Sequence, residues 1–108
     1  SISYVEEQKN PDGAFPAAPS PNPEQEEALA LGIEKLEKEK GDLFIATDPD
    51  ADRIGLVVMH KGSPVILNGN QIASLCIYYL CKTLSMQEKM PENGAFVTTI
   101  VTTELFSL

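Results

Sequence analysis

Residues 43–59 read LFIATDPDADRIGLVVM, two apolar runs joined by an acidic loop. The first run, Leu43–Ala46, is short and entirely apolar, which is typical of a strand buried on both faces of a parallel sheet. The second run, Ile54–Met59, is rich in branched side chains and predicts another strand. The residues between them, 48–53, which we call the acidic loop, therefore follow the C-terminal end of a predicted strand.

The acidic loop has carboxylates at every second position, belonging to Asp48, Asp50 and Asp52. Three anions this close repel one another, and each raises the pKa of its neighbours. A hard divalent cation removes that conflict and accepts oxygen ligands, which Mg²⁺ binds at about 2.0–2.1 Å in near-octahedral geometry. The pattern therefore predicts a metal site. Pro49 stiffens the loop and lowers the entropy cost of bringing the three side chains together.

Three other interpretations agree less well with the loop. A calcium-binding EF-hand also begins D-x-D-x-D, but it needs Gly at its sixth position and Glu at its twelfth, where this chain has Arg53 and Met59. A haloacid-dehalogenase-type phosphatase expects Thr or Val two residues after its second aspartate, where this chain has Asp52. An ordinary surface turn also uses Pro and Asp. For such a turn, however, alternating aspartates followed by arginine between buried strands are a costly arrangement.

The rest of the sequence predicts two helices and further strands. The first helix follows a proline-rich loop at residues 10–23, begins near Asn22 and ends at Gly41. The second opens at Asn68–Asn70 and carries an apolar stripe. A turn at Lys61–Ser63 predicts a hairpin. The stripe of the first helix is Leu29, Ile33 and Leu36, that of the second is Ile72, Leu75, Cys76, Tyr79, Leu80 and Leu84, and the additional strands are Ser1–Val5, Pro64–Leu67 and Ala95–Val101.

This order, β-α-β-β-β-α-β, predicts an α/β fold: a three-layer α/β/α domain with a mixed, mainly parallel sheet and one hairpin. The chain opens directly in a predicted strand and closes with what reads as the start of another helix. We therefore expect a fragment of a longer protein. A sheet cut in this way has an exposed strand edge, through which two fragments could dimerise.

The charge balance limits which partners to expect. The chain has 16 acidic and 8 basic residues, a formal net charge of −8. Nucleic acids and anionic membrane surfaces are bound by clustered lysine and arginine, so we expect neither partner. No apolar run approaches the roughly 18 residues of a membrane span. Cys76 and Cys81 do not have a zinc-binding spacing; as reduced core residues they predict a cytoplasmic protein.

The acidic loop and its flanks, ATDPDADRIG at residues 46–55, resemble the magnesium-binding signature of the α-D-phosphohexomutase superfamily, the phosphoglucomutases and phosphomannomutases. The resemblance is strongest to the bacterial-type branch, in which both activities are found, and it covers nearly the whole chain in order. Its other segments are VEEQ at 5–8, PDGAFP at 11–16, PNPE at 21–24, NGNQ at 68–71, PENG at 91–94 and TIVTTEL at 99–105.

The resemblance implies a four-domain isomerase that interconverts hexose 1-phosphate and hexose 6-phosphate through a phosphoserine and a bisphosphate intermediate. Residues 1–101 would be most of its metal-binding second domain, and residues 102–108 the start of the linker and helix into the third. Asp48, Asp50 and Asp52 would each give Mg²⁺ one carboxylate oxygen, with a phosphate oxygen of the serine as the fourth ligand. Arg53 would be a catalytic residue that binds phosphate near that serine. Its alternative role is a salt bridge that offsets the aspartates.

The same resemblance implies a hexose phosphate substrate, bound together with the missing domains. Phosphoglucomutase is the activity we expect, with phosphomannomutase or phosphopentomutase of the same superfamily as alternatives. The fragment alone carries no phosphoserine motif, so we expect it to be inactive and to bind Mg²⁺ weakly. A hypothesis of a different class is a non-catalytic acidic module that binds a metal or a protein partner.

Overall fold

The computed structural model describes residues 1–18, 20 and 22–107, so Pro19 and Pro21 of the proline-rich loop and Leu108 of the predicted last helix lie outside the described residues. The chain divides into two compact units, Ser1–Gly69 and Asn70–Leu108, and each is described by itself. The elements, in chain order, are α1 (Glu6–Lys9), α2 (Glu26–Lys38), β1 (Leu43–Thr47), β2 (Ile54–His60), β3 (Ser63–Leu67), α3 (Gly69–Met86) and a 3₁₀ helix (Glu104–Ser107).

The three strands form one antiparallel sheet in the order β1-β2-β3. Thr47 pairs with Ile54 at one end of β2, and His60 pairs with Ser63 at the other. The prediction of a three-layer α/β/α domain with a mainly parallel sheet is therefore wrong. Connection length gives the physical reason: six residues join β1 to β2 and two join β2 to β3, whereas a parallel pair needs a crossover of about a dozen residues or more.

One face of the sheet packs against α2. Leu29 and Leu36 of α2 form a buried cluster with Val57 of β2, and Ile33 packs against this cluster. The predicted apolar stripe of the first helix is thus confirmed. Burial of each such side chain stabilises the fold by about 1.5–3 kcal/mol. This cluster therefore helps to fix α2 on the sheet.

Gly32 allows the close approach of α2 to the sheet. A Cβ at this position would overlap the ring of Phe44 in β1. The ring therefore lies directly against the helix backbone, between the turns that carry Leu29 and Leu36. The opposite face of the sheet carries Leu43, Ile45, Ile54 and Val65, which are all exposed to a substantial degree.

The ends of α2 differ in detail from the prediction. The helix begins at Glu26, because residues 22–25 form a separate turn in which the Gln25 N–H donates to the Asn22 carbonyl at 3.0 Å. At the other end, Gly41 N–H donates to the Leu36 carbonyl at 2.9 Å, the long bond of a Schellman motif. The left-handed position of that motif is occupied by Lys40, with φ 52°, rather than by glycine.

Two predicted strands do not form. Residues 1–5 have no regular structure and lead into α1, and residues 95–101 are not part of any strand. Val97 and Ile100 are almost fully exposed. β-branched residues stabilise a strand by packing against neighbouring strands, and within the part of the chain that the structure describes these segments pair with none.

The second predicted helix is confirmed as α3, but its apolar stripe is not a core. Ile72 is the buried residue of this helix, whereas Leu75, Tyr79 and Leu80 are exposed. Cys76 and Cys81 are free thiols, and Cys76 is exposed, so the prediction of core cysteines is wrong for that residue. Among the described residues, no helix combines the length and apolar character needed to cross a membrane.

Candidate metal centre

The acidic loop is the connection between β1 and β2 and begins directly after the last residue of β1. The Ala51 N–H donates to the carbonyl of Asp48 at 3.0 Å, which closes a turn inside the loop. Ala51 has φ 59°, the left-handed region that favours glycine. This turn reverses the chain within the loop and brings Asp50 and Asp52 back towards Asp48.

Asp48 is buried, and Arg53 donates two hydrogen bonds to its carboxylate. The Asp48 side chain is 2% exposed, a value that charged residues almost never reach unless they are paired. Its Oδ1 accepts the Arg53 backbone N–H at 3.1 Å, and its Oδ2 accepts the Arg53 Nε–H at 3.0 Å. Each carboxylate oxygen has two lone pairs, so both oxygens keep the capacity to bind a cation.

The three aspartates predicted as ligands are brought together by the loop. One carboxylate oxygen each from Asp48, Asp50 and Asp52 lies within 4.8 Å of the others. Octahedral ligands about 2.1 Å from Mg²⁺ are roughly 3 Å apart in cis and roughly 4 Å apart in trans. Asp50 and Asp52 are exposed, so their side chains have room to adjust towards an ion shared with Asp48. The donor set is entirely oxygen, which suits Mg²⁺ rather than zinc.

The environments of Asp48 and Asp52 shift their pKa values in opposite directions. Burial opposes ionisation of Asp48, but it is outweighed by the hydrogen bond from the Arg53 backbone N–H, by hydrogen bonds with Asp52 and Asp50, and by the Arg53 charge. The pKa of Asp48 therefore lies below its usual value. Hydrogen bonding with Asp48 and the charges of Asp50 and Asp48 raise the pKa of Asp52. The loop thus holds one stabilised anion beside a carboxyl whose ionisation is opposed until a cation neutralises the cluster.

Arg53 forms the salt bridge that the sequence left open as an alternative to catalysis. Its Nε also lies 3.7 Å from Asp52 Oδ1, and its side chain is 53% exposed. The ion pair with Asp48 uses the Nε–H, one of five N–H donors in a guanidinium. A half-exposed arginine in this position can present its other donors to an anion outside the loop.

The sequence did not predict the close contact between Gly55 and Pro23 at the base of the acidic loop. Gly55 is buried in β2, and a Cβ there would overlap the carbonyl oxygen of Pro23. The available signal was a glycine inside an otherwise apolar strand, which often marks a close approach of another backbone segment.

Three clustered aspartates on a hairpin loop, one of them buried against an arginine, define a candidate divalent-cation site in a small antiparallel α/β unit. The chain belongs to the phosphoglucomutase/phosphomannomutase family, because the sequence model of that family's alpha/beta/alpha domain II matches residues 1–62, more than half of the chain. The matched region contains α2, the acidic loop and all of β2.

Curated relatives include three sugar-phosphate mutases of different names. A phosphoribomutase from Saccharomyces cerevisiae is 47% identical over 77 residues, 69% of this chain and 12% of the relative. A phosphomannomutase from Mycoplasmoides pirum is 38% identical over 99 residues, 92% of this chain and 18% of the relative. A phosphoglucomutase from Staphylococcus aureus is 36% identical over 105 residues, 96% of this chain and 18% of the relative. The chain therefore spans less than a fifth of their length. No solved structure is significantly similar to it.

Proposed function

We propose that this chain is the metal-binding part of a sugar-phosphate mutase that interconverts hexose 1-phosphate and hexose 6-phosphate. The observation that carries the proposal is the convergence of Asp48, Asp50 and Asp52 on one loop, in a chain of the phosphoglucomutase/phosphomannomutase family. Residues 1–101 would form most of the second domain, and residues 102–108 would lead into the third. The phosphoryl-donating serine would lie on another domain.

In this proposal the three aspartates hold Mg²⁺, which when bound withdraws charge from a transferring phosphoryl group. Asp48 is the fixed member, because its carboxylate is buried and oriented by two hydrogen bonds from Arg53. Asp50 and Asp52 are exposed and can rotate towards the ion. Phosphoryl transfer depends mostly on positioning and charge stabilisation, and this loop would provide both without taking part in covalent chemistry.

Arg53 would act on the phosphate that approaches the metal. Its guanidinium is held beside the aspartates through Nε, and half of the side chain is exposed. A guanidinium binds phosphate oxygens through several N–H donors at once. The salt bridge with Asp48 would then orient Arg53 for this second role, so the two interpretations of the residue are compatible.

Calorimetric titration of the 108-residue chain with Mg²⁺ tests the metal site. We expect weak binding, with a Kd on the order of 10⁻⁴–10⁻³ M, the range of weak carboxylate sites for divalent cations. The D50N/D52N variant should raise this Kd by at least about tenfold. The control variant E34Q/E37Q removes the same charge from exposed positions on α2 and should bind Mg²⁺ like the wild type. Submicromolar affinity, or equal loss of binding in both variants, would contradict the proposal.

Activity assays separate the mutase from a non-catalytic acidic module. The 108-residue chain should not turn over glucose 1-phosphate. A longer protein that contains the chain should do so and should lose most of its rate in the D50N/D52N variant, about 10²-fold or more if the metal stabilises the transition state by several kcal/mol. Glucose, mannose and ribose phosphates assayed in parallel would identify the sugar, since the relatives' names include all three. Mg²⁺ binding without turnover of any of them would favour the module.

A further inference from the structure

Gly55 lies at the base of the acidic loop. It is two residues after Arg53, and it pairs across the sheet with Ala46, which is two residues before Asp48. Because strand residues alternate between faces, Gly55 shares the α2-facing side of the sheet with Val57, and Ala46 shares it with Phe44. The same alternation, continued one step past the ends of the strands, puts Asp48 and Arg53 on this side.

Pro23 fills the space that a side chain at position 55 would need. Its carbonyl oxygen overlaps the position of a Cβ on Gly55, and its carbonyl carbon and its own Cβ are each 3.1 Å from that position. Pro23 is itself buried. The contact joins two backbone segments, so neither side can yield as the flexible end of a side chain would.

The turn that carries Pro23 is held firmly. Asn22 Oδ1 accepts the Glu24 N–H at 3.0 Å, and the Asn22 carbonyl accepts the Gln25 N–H at 3.0 Å. The turn leads directly into α2, which is fixed on the sheet by Leu29 and Leu36. The position of Pro23 is therefore set by the core of the unit.

We propose that the contact between Pro23 and Gly55 is a positioning contact for the metal site. It fixes the distance of the last residues of β1 and the first residues of β2 from the turn before α2, and so holds the Asp48 carboxylate and the Arg53 donors in their paired geometry. Pro23 and Gly55 would not bind the metal ion themselves. They would act by positioning Asp48 and Arg53. This inference rests on the proposed metal-binding function of the acidic loop.

The G55A variant of the 108-residue chain tests the contact, with G62A as its matched control. Both add one methyl group to a glycine: Gly55 lies inside β2, and Gly62 lies in the turn that follows this strand, where φ is 82°. We expect G55A to raise the Kd for Mg²⁺ by about tenfold, as loss of a group that orients a ligand does. G62A strains the backbone without meeting another atom, and it should leave the Kd within about twofold of the wild type. A G55A Kd equal to that of the wild type would overturn the proposal.

A second variant and a metal-free measurement keep the test decisive. If G55A does not fold, N22A loosens the Pro23 turn without a steric overlap, and it should raise the Kd by a smaller but measurable factor; an unchanged Kd would overturn the proposal. The NMR signal of the Arg53 Nε–H reports the pairing with Asp48 without metal. It should shift towards that of free arginine in N22A and G55A and stay unchanged in G62A. Absence of Mg²⁺ binding by the wild-type chain would contradict the proposed function. The NMR signal of the Arg53 Nε–H would then be the remaining test of whether the Pro23–Gly55 contact positions Arg53.

Discussion

The two ends of β2 are joined to their neighbours by connections of very different kinds. At one end, Lys61 and Gly62 form a two-residue turn with φ values of 50° and 82°. Two positive values are typical of a type I′ turn, whose twist matches that of the strands. At the other end, the acidic loop uses six residues, three of them aspartates, and buries the carboxylate of Asp48.

This difference separates what the fold needs from what the site needs. The turn shows that adjacent strands of this sheet can be joined by two residues with no charged side chain buried. The added length and the mutual repulsion of the aspartates are therefore not required to close the sheet. Local features that oppose stability in this way are expected at functional sites. We therefore expect the acidic loop to be sensitive to Mg²⁺ and to substitutions that change its charge. The turn should be sensitive only to substitutions that change its backbone strain.

The D48N variant should have the largest effect on Mg²⁺ binding and stability. A small effect would contradict the difference described between the two ends of β2. The amide is nearly the same size but lacks the charge that binds a cation and attracts Arg53. We expect the Kd for Mg²⁺ to rise by at least about tenfold and the Tm to fall, because the two hydrogen bonds from Arg53 lose their charged acceptor. Calorimetry and thermal unfolding measure the two effects. Unchanged values of both would show that Asp48 is an ordinary loop residue.

The G62A variant, at the other end of β2, should change stability without changing Mg²⁺ binding. Its Cβ meets no other atom, so the whole effect comes from placing alanine in the left-handed region. We expect the free energy of unfolding to fall by about 1 kcal/mol, measured by urea denaturation. The Kd for Mg²⁺ should not change by more than about twofold. Weakened metal binding in this variant would mean that the two ends of the strand are coupled.

The K61N variant should improve the same turn. Asn tolerates positive φ better than Lys, and Asn-Gly is the preferred sequence of a type I′ turn. We expect a gain of about 0.5 kcal/mol in the free energy of unfolding, a fraction of the cost of a left-handed residue. Urea denaturation of K61N beside the wild type measures it. A loss of stability would argue against the type I′ assignment.

The free energy of unfolding should change only slightly with pH, because the pKa shifts of Asp48 and Asp52 affect it in opposite directions. The pKa of Asp48 is lowered in the folded chain, so its contribution is present above the unfolded value, near 4, and is lost as the pH falls through the folded value. The pKa of Asp52 is raised, so its contribution is present at low pH and is lost as the pH rises through the folded value.

Measured without metal, the wild type should therefore lose stability relative to D48N as the pH falls below 4. It should lose stability relative to D52N as the pH rises above 4. Denaturant unfolding across this range, together with carboxyl NMR titration of Asp48 and Asp52, checks both signs. Equal pKa values for Asp48 and Asp52 would show that Arg53 does not stabilise one carboxylate more than the other.

Much of the first unit could be predicted from the sequence because its signals are local. The spacing of Leu29, Ile33 and Leu36 identifies the buried face of α2, and Lys61-Gly62 identifies the hairpin. The acidic loop was recognisable from its alternating aspartates alone. What local signals do not contain is strand direction, and the fully apolar run at Leu43–Ala46 led to the wrong expectation of a parallel sheet.

The remaining errors concern residues whose pattern depends on distant partners. The run at 95–101 has the composition of a strand but has no neighbouring strand among the described residues, and the stripe of α3 is apolar but largely exposed. The pairing of Arg53 with Asp48 and the contact of Pro23 with Gly55 are likewise invisible in a single sequence, because they depend on how the segments meet in space.

Paramagnetic broadening by Mn²⁺ tests the metal site most directly, since Mn²⁺ accepts the same carboxylate oxygens as Mg²⁺. In the 108-residue chain, we expect substoichiometric Mn²⁺ to broaden the amide signals of residues 48–53 first and an excess of Mg²⁺ to restore them. The signals of the turn at Lys61 and Gly62 should remain sharp throughout. Broadening spread evenly over the acidic surface of α2, or absent from residues 48–53, would contradict the assignment of the acidic loop as the metal site.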